Sequence, residues 1–163
     1  TWTNLSNPAS LPGAAVGKVK FSNDGSKLAV LCSGVSPNLI VYETSTWTRV
    51  NTGMTDNPAI NVVADYALAW SPDDSLLAVG HDNSPFLSVY NTSTWARLPT
   101  PSVAPDDDVR GVVFSGDGSR LYTASLNSTG RFLFYNTSDW STFPGISDDD
   151  SDGVGIITLW GED

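Results

Sequence analysis

The chain has 163 residues, 40% of them hydrophobic, with 6 Trp, 5 Tyr and 6 Phe, which is enough for one domain with a packed core and excludes a disordered tail. A formal net charge of −10, from 18 acidic and 8 basic residues, argues against nucleic acid and anionic lipid surfaces as partners, and permits cationic partners, calcium or plain solubility. No apolar run approaches the ~18 residues a membrane span needs, TWTNLSNPAS at the start shows no secretory signal, and the single cysteine, Cys32, rules out an internal disulfide.

Three segments fall into register: KVKFSNDGSKLAVLCSGVSPNLIVYETSTWTRV (18–50), ALAWSPDDSLLAVGHDNSPFLSVYNTSTWARL (67–98) and GVVFSGDGSRLYTASLNSTGRFLFYNTSDWSTF (111–143). Phe21, Trp70 and Phe114 correspond, as do Tyr42, Tyr90 and Tyr135, and Trp47, Trp95 and Trp140. The repeat units run over approximately 16–50, 64–98 and 109–143, and a period in the mid-forties built of short strands marks a propeller blade.

Within each unit the elements follow one order. KVKF, ALAW and GVVF are short β-prone runs ending in an aromatic residue, strand a. SNDGS, SPDDS and SGDGS are tight turns, because Gly accepts positive φ, Pro presets φ and Asp bonds nearby backbone. KLAVLC, LLAVG and RLYTAS, strand b, lack polar alternation and read as buried on both faces. NLIVYE, FLSVYN and RFLFYN form strand c, Thr-Ser-Thr or Thr-Ser-Asp turns the chain, and WTRV, WARL and WSTF form a short outer strand d. No helical period appears, and Pro and Gly recur too often for long helices.

The unit, with its FSxDGSxLA lead into an apolar strand and its VY strand, resembles the WD40-like β-propeller repeat. It lacks the Gly-His before strand a, and Tyr-Asn or Tyr-Glu stands where the family has Trp-Asp, so the family's His–Asp network does not carry over. The stretch SPDxSLLAVGHxxSPFLxVYNTSTW is similar to propeller repeats of bacteriophage virion (tail- or capsid-associated) proteins. The expected fold is all-β: a propeller segment of four-stranded WD40-like blades, three full repeats plus parts of two more. Residues 1–5, TWTNL, match strand d of a neighbouring blade through Trp2, and 154–163, VGIITLWGED, match the first strand of the next through Trp160. Such an arc leaves open blade edges, to be covered by the rest of a longer chain or by other copies in a homo-oligomer.

SDDDSDG at 147–153 places Asp148, Asp150 and Asp152 at alternate positions before Gly153, a spacing that lets carboxylates converge on calcium. Ile156 and Leu159 stand where the ninth and twelfth ligands of a full loop belong, so a solvated acidic loop explains the run as well. PDDDVRG, with Asp106, Asp107 and Asp108, is the equivalent connection one blade earlier; with Asp148, Asp149 and Asp150 it would form an acidic patch for a basic protein partner. His81, aligned with Ser33 and Leu126, reads as an exposed loop histidine, and Cys32 as a small core residue rather than a nucleophile. The repeated Trp residues read as blade packing rather than sugar platforms. The sequons at Asn4, Asn91, Asn127 and Asn136 matter only in a eukaryotic secretory setting, and turn chemistry explains Asn91 and Asn136, at equivalent positions, as well.

With no catalytic constellation, phosphate loop or zinc cluster in the sequence, the expected function is a non-enzymatic structural and protein-interaction module, in a virion or other extracellular assembly, with no cofactor beyond that calcium. A carbohydrate- or surface-binding propeller lectin, and a fragment of a propeller enzyme completed by other blades, are the alternatives.

Overall fold

The structure, a computed structural model, describes Pro8 and residues 15–33, 36–51, 67–126 and 132–142. Among these residues every regular element is a strand: β1 (Val16–Phe21), β2 (Lys27–Cys32), β3 (Leu39–Glu43), β4 (Ala67–Trp70), β5 (Leu76–Gly80), β6 (Leu87–Asn91), β7 (Val109–Phe114), β8 (Arg120–Ser125) and β9 (Phe132–Asn136). They make three antiparallel sheets, β1-β2-β3, β4-β5-β6 and β7-β8-β9, which are blades 1, 2 and 3.

The first hairpin of each blade closes by the same side-chain chemistry. Ser22 Oγ donates to Asp24 Oδ1 (2.7 Å), which also accepts the Ser26 N–H (2.8 Å), while the Lys27 N–H donates to Ser22 Oγ (2.9 Å). Ser71, Asp73 and Ser75 repeat this in blade 2, and Ser115, Asp117 and Ser119 in blade 3. The chain reverses through a left-handed residue, Gly25 and Gly118 at φ 71° and Asp74 at φ 59°. Glycine takes that conformation freely, whereas Asp74 adopts it as a residue without that freedom.

The fourth segment of each blade is present but short. It meets strand c through single bridges, Tyr42 with Arg49, Tyr90 with Arg97 and Tyr135 with Thr142. Trp47, Trp95 and Trp140 do not begin that strand. They sit in the preceding turn at φ 55°, 57° and 58°, and each N–H returns to the carbonyl four residues back. The Thr of the same turn latches the first hairpin: the hydroxyls of Thr44, Thr92 and Thr137 donate to the carbonyls of Gly25, Asp74 and Gly118 at 2.8, 2.7 and 2.7 Å. The repeated Tyr-x-Thr-Ser-x-Trp phrase is therefore a latch, a turn and a packing ring in one stretch.

Strand side chains alternate between faces, and the blades stack through those faces. Leu68, Trp70, Leu77, Val79, Tyr90 and Trp95 on the leading face of blade 2 pack against Ala29, Leu31, Leu39 and Val41 on the trailing face of blade 1. Ala69, Ala78, Leu87 and Val89 on the trailing face of blade 2 pack against Phe114, Leu121 and Tyr135 of blade 3. Each large side chain so buried contributes roughly 1.5–3 kcal/mol. Trp95 is buried edge-on to Trp70, ring centres 6.4 Å apart, and Trp140 lies tilted against Tyr135 at the same separation. Trp47 joins Val30, Cys32, Ile40 and Tyr42 in a third cluster on blade 1. The expected packing role of these tryptophans holds, and Cys32 is fully buried. Strand β1 is exposed along its whole length. Val19 and Phe21 lie on the leading face of the first described blade, where Leu68 and Trp70 are covered by blade 1.

Candidate interaction surface

The sheets have two distinct ends. The turn end carries the hairpin aspartates, and their serine partners set their charge. The Ser22 hydroxyl, then the Ser26 N–H and hydroxyl, hold the exposed Asp24 carboxyl down at about 2. The Ser115 hydroxyl, with the Ser119 N–H and hydroxyl, holds Asp117 at about 2 as well. Asp73 and Asp139 are lowered by the same kind of bond, from Ser71 and Ser141 first. Bonding to the charged form favours it, so this end stays anionic.

The turn end also joins neighbouring blades. The Asn23 N–H and Nδ2 donate to Asp74 Oδ1 at 2.8 and 2.7 Å, and the Asp24 N–H donates to Asp74 Oδ2 at 2.9 Å. This clamp was not found from the sequence, since its partners are 51 residues apart; the one local signal is an Asp at 74 where the other two turns have Gly. Between blades 2 and 3 the same place holds a shallow cleft of about 210 Å³ bordered by Pro72, Asp73, Asp117 and Gly118.

The opposite end holds the connections from strand b to strand c and from one blade to the next. His81 lies here, and it is buried, 3% exposed, rather than an exposed loop residue. The hairpin registers set His81 against Cys32 and Ser125, the residues that follow the same strand positions, rather than against Ser33 and Leu126. Its ring Nε2 pairs with the buried Ser88 hydroxyl at 3.0 Å. Its backbone is fixed on both sides, the His81 N–H donating to Phe86 O (2.9 Å) and the His81 carbonyl accepting the Val109 N–H (3.2 Å). The histidine closes blade 2 onto blade 3.

Asp106, Asp107 and Asp108 lead into β7 at this same end. Asp106 is exposed, and Asp107 and Asp108 are half-buried. Arg110 bonds Asp108 at 3.0 Å, Asp107 Oδ1 accepts the Asp108 N–H at 2.8 Å, and the Asp108 carbonyl accepts the Leu126 N–H at 3.0 Å. The last bond sets Leu126, 58% exposed, beside the acidic run. Sequence reasoning missed Leu126, which carries no chemical signal of its own. Asp148, Asp149, Asp150 and Asp152 lie outside the described residues, as do Trp2, Trp160, Asn4 and Asn127. Among the described residues no three acidic, His or Cys side chains gather as a metal site. Asn91 Oδ1 accepts from Ser93 and Thr94, and Asn136 Nδ2 donates to Ser141 Oγ, the turn chemistry expected of both.

No known family profile matches the chain, and no curated protein matches it. Solved structures do. The structure of U3-55K superposes with a TM-score of 0.67 at 17% identity, over 83% of this chain and 40% of that one. The RRP9 WD40 repeats give 0.66 at 16% identity, over 83% and 39%. Kuenenia stuttgartiensis hydrazine synthase gives 0.59 at 20% identity, over 88% and 37%. The chain thus spans less than half the length of each. At these identities the likeness is one of fold, and neither the virion resemblance nor an activity follows from it. Repeat register, blade-to-blade packing and superposition agree that the chain folds as a segment of a WD40-type β-propeller.

Proposed function

We propose that this chain is a non-enzymatic protein-interaction module that receives a basic, partly apolar segment of a protein partner on the end opposite the hairpin turns. The observation that carries the reading is the bond from the Leu126 N–H to the Asp108 carbonyl, which sets an exposed leucine beside the acidic run of Asp106, Asp107 and Asp108. An apolar contact beside a net negative charge, three carboxylates with one arginine, suits a partner with an apolar anchor and positive charges. Asp148, Asp149 and Asp150 would extend the rim, and calcium held by Asp148, Asp150 and Asp152 would modulate it. The setting we propose is a virion or other extracellular assembly, with neither nucleic acid nor membrane as partner; it is supported by the repeat resemblance and the acidic composition.

The test is a titration with a Lys/Arg-rich peptide carrying two leucines, against an acidic peptide of equal length. Binding should weaken as salt rises, and in Asp106→Asn/Asp107→Asn and Leu126→Ser variants. Equal binding by the variants would sink the assignment of the site, and no binding of the basic peptide would sink the reading itself.

A further inference from the structure

The hairpin turns of blades 1 and 3 contain Asp-Gly, as Asp24-Gly25 and Asp117-Gly118, whereas blade 2 has Asp73-Asp74. Asp-Gly is prone to isomerise, because glycine sets no side chain in front of its own nitrogen. That nitrogen attacks Cγ of the aspartate, a C–N bond forms, and the amide proton leaves with the carboxyl hydroxyl as water. Water then opens the succinimide at its other carbonyl and leaves isoaspartate, with the backbone running through the side chain. Each turn obstructs the first step twice. The nitrogen is engaged, since the Gly25 N–H donates to the Ser22 carbonyl at 3.0 Å and the Gly118 N–H to the Ser115 carbonyl at 2.9 Å. The carboxylate is engaged too, by Ser22 Oγ and the Ser26 N–H in blade 1 and by Ser115 Oγ and the Ser119 N–H in blade 3. Those bonds keep it ionised, with no hydroxyl to lose. Ring closure therefore waits for the turn to open locally.

The two turns differ in what holds them shut. Asp74 reaches across from blade 2, and its carboxylate accepts the N–H groups of Asn23 and Asp24 at 2.8 and 2.9 Å and Asn23 Nδ2 at 2.7 Å. In blade 3 the Asp117 N–H is spent on its own carboxylate. The equivalent contact from blade 2 is the Pro72 ring, whose Cδ would lie 3.4 Å from a Cβ on Gly118. Opening the blade 1 turn thus breaks bonds to a charged acceptor on a neighbouring blade, and opening the blade 3 turn does not. We infer that, among the described residues, Asp117-Gly118 is the site at which this protein isomerises spontaneously, and that Asp74 withholds the same reaction from Asp24-Gly25. The product lengthens the backbone just before Gly118, whose carbonyl accepts the Thr137 hydroxyl at 2.7 Å, so the reaction releases the latch of blade 3.

Tryptic mapping of the native chain, aged in warm, near-neutral buffer, tests this. The two sites fall in separate peptides, FSNDGSK (21–27) and GVVFSGDGSR (111–120), and both are clear of Asp152-Gly153. Isomerisation leaves mass unchanged, which separates it from deamidation of Asn23. Both sites should react more slowly than the same two peptides free in solution, with Asp117 about tenfold ahead of Asp24, as bonds to a charged acceptor imply. Asp74→Ala should bring Asp24 level with Asp117 and leave Asp117 unchanged, and Ser115→Ala should speed Asp117 alone. Asp24 level with or ahead of Asp117 in the parent chain would overturn the inference, as would either site reacting at the rate of its free peptide. An Asp74→Ala chain in which Asp24 stays slow, or in which both sites speed up alike, would also overturn it, because Asp74 would then not be the specific guard of the blade 1 turn.

Discussion

Gly80 ends β5 at the point where blade 2 touches blade 3, and its replacement by alanine tests how closely those blades approach. A Cβ at Gly80 would lie 2.6 Å from both Val109 Cγ1 and the Val109 carbonyl oxygen, and 3.0 Å from Ala67 Cβ. Carbon contacts settle near 3.5–4.0 Å, so the methyl group needs about an ångström of room. Val109 Cγ1 can rotate away, but the carbonyl belongs to the backbone of β7 and cannot. Overpacking of this kind costs about 1–3 kcal/mol, and up to about 1 kcal/mol returns because alanine is less disordered than glycine in the unfolded chain. The net loss is about 1–2 kcal/mol, or about 2–8 °C in melting temperature for a chain of this size. Two controls separate the causes. Gly116→Ala, with open space around it, should stay within about 0.5 kcal/mol. Gly25→Ala, also in open space but at φ 71°, should lose about 1 kcal/mol through strain alone. Chemical denaturation of the three variants, and of Gly80→Ala with Val109→Ala, provides the measurement. The double variant should lose less than the Gly80→Ala and Val109→Ala losses added together, since it removes the methyl contact and keeps the carbonyl one. A Gly80→Ala protein as stable as Gly116→Ala would refute the close approach of blades 2 and 3.

Trp95 pairs a left-handed backbone with a buried ring, so Trp95→Ala should lose about 3–5 kcal/mol of stability. Trp95→Gly should be about 1 kcal/mol more stable than Trp95→Ala, the reverse of the usual order, because only glycine takes φ 57° without strain; urea titrations of both variants decide the order. Acid should destabilise the protein through its turns. Asp24 and Asp117 sit at about 2, below the 3.8 of a free carboxyl, so their contribution is complete above about pH 4 and is lost as the pH falls toward 2. A melting-temperature series across that window should show a shallower acid slope for Asp117→Asn than for the parent; an unchanged slope would remove Asp117 as a cause.

Where the sequence spoke plainly, the chemistry was local. Ser-x-Asp-Gly-Ser closes a hairpin with its own side chains, so the turns, their spacing and the three sheets were legible from the residues within each turn. The aromatic repeats were legible as packing for the same reason, since Trp70, Tyr90 and Trp95 recur in one register. The left-handed backbone at Trp47, Trp95 and Trp140 was not, because tryptophan carries none of the marks of that conformation that glycine or asparagine does. His81 was misread because it follows strand b and was set against Ser33 and Leu126, one place beyond Cys32 and Ser125, whereas its backbone is bonded to Phe86 and Val109 and its ring is covered. The Asp74 clamp and the Leu126–Asp108 contact depend on which strands lie side by side, and no single turn or run of residues encodes that.

The threonine latch has a consequence beyond stability. By tying the two turns of a blade together at one end, it standardises that end, while the other end is left with connections of unequal content: SGVSPN, DNSPF and LNSTGR within the blades, and segments of different length between them. One rim of the arc behaves as a chassis and the other as a display. New recognition can then be acquired by exchanging loops at the display rim without disturbing a hairpin, much as one frame accepts many inserts, and this is the rim on which His81 anchors two blades and Leu126 meets the acidic run.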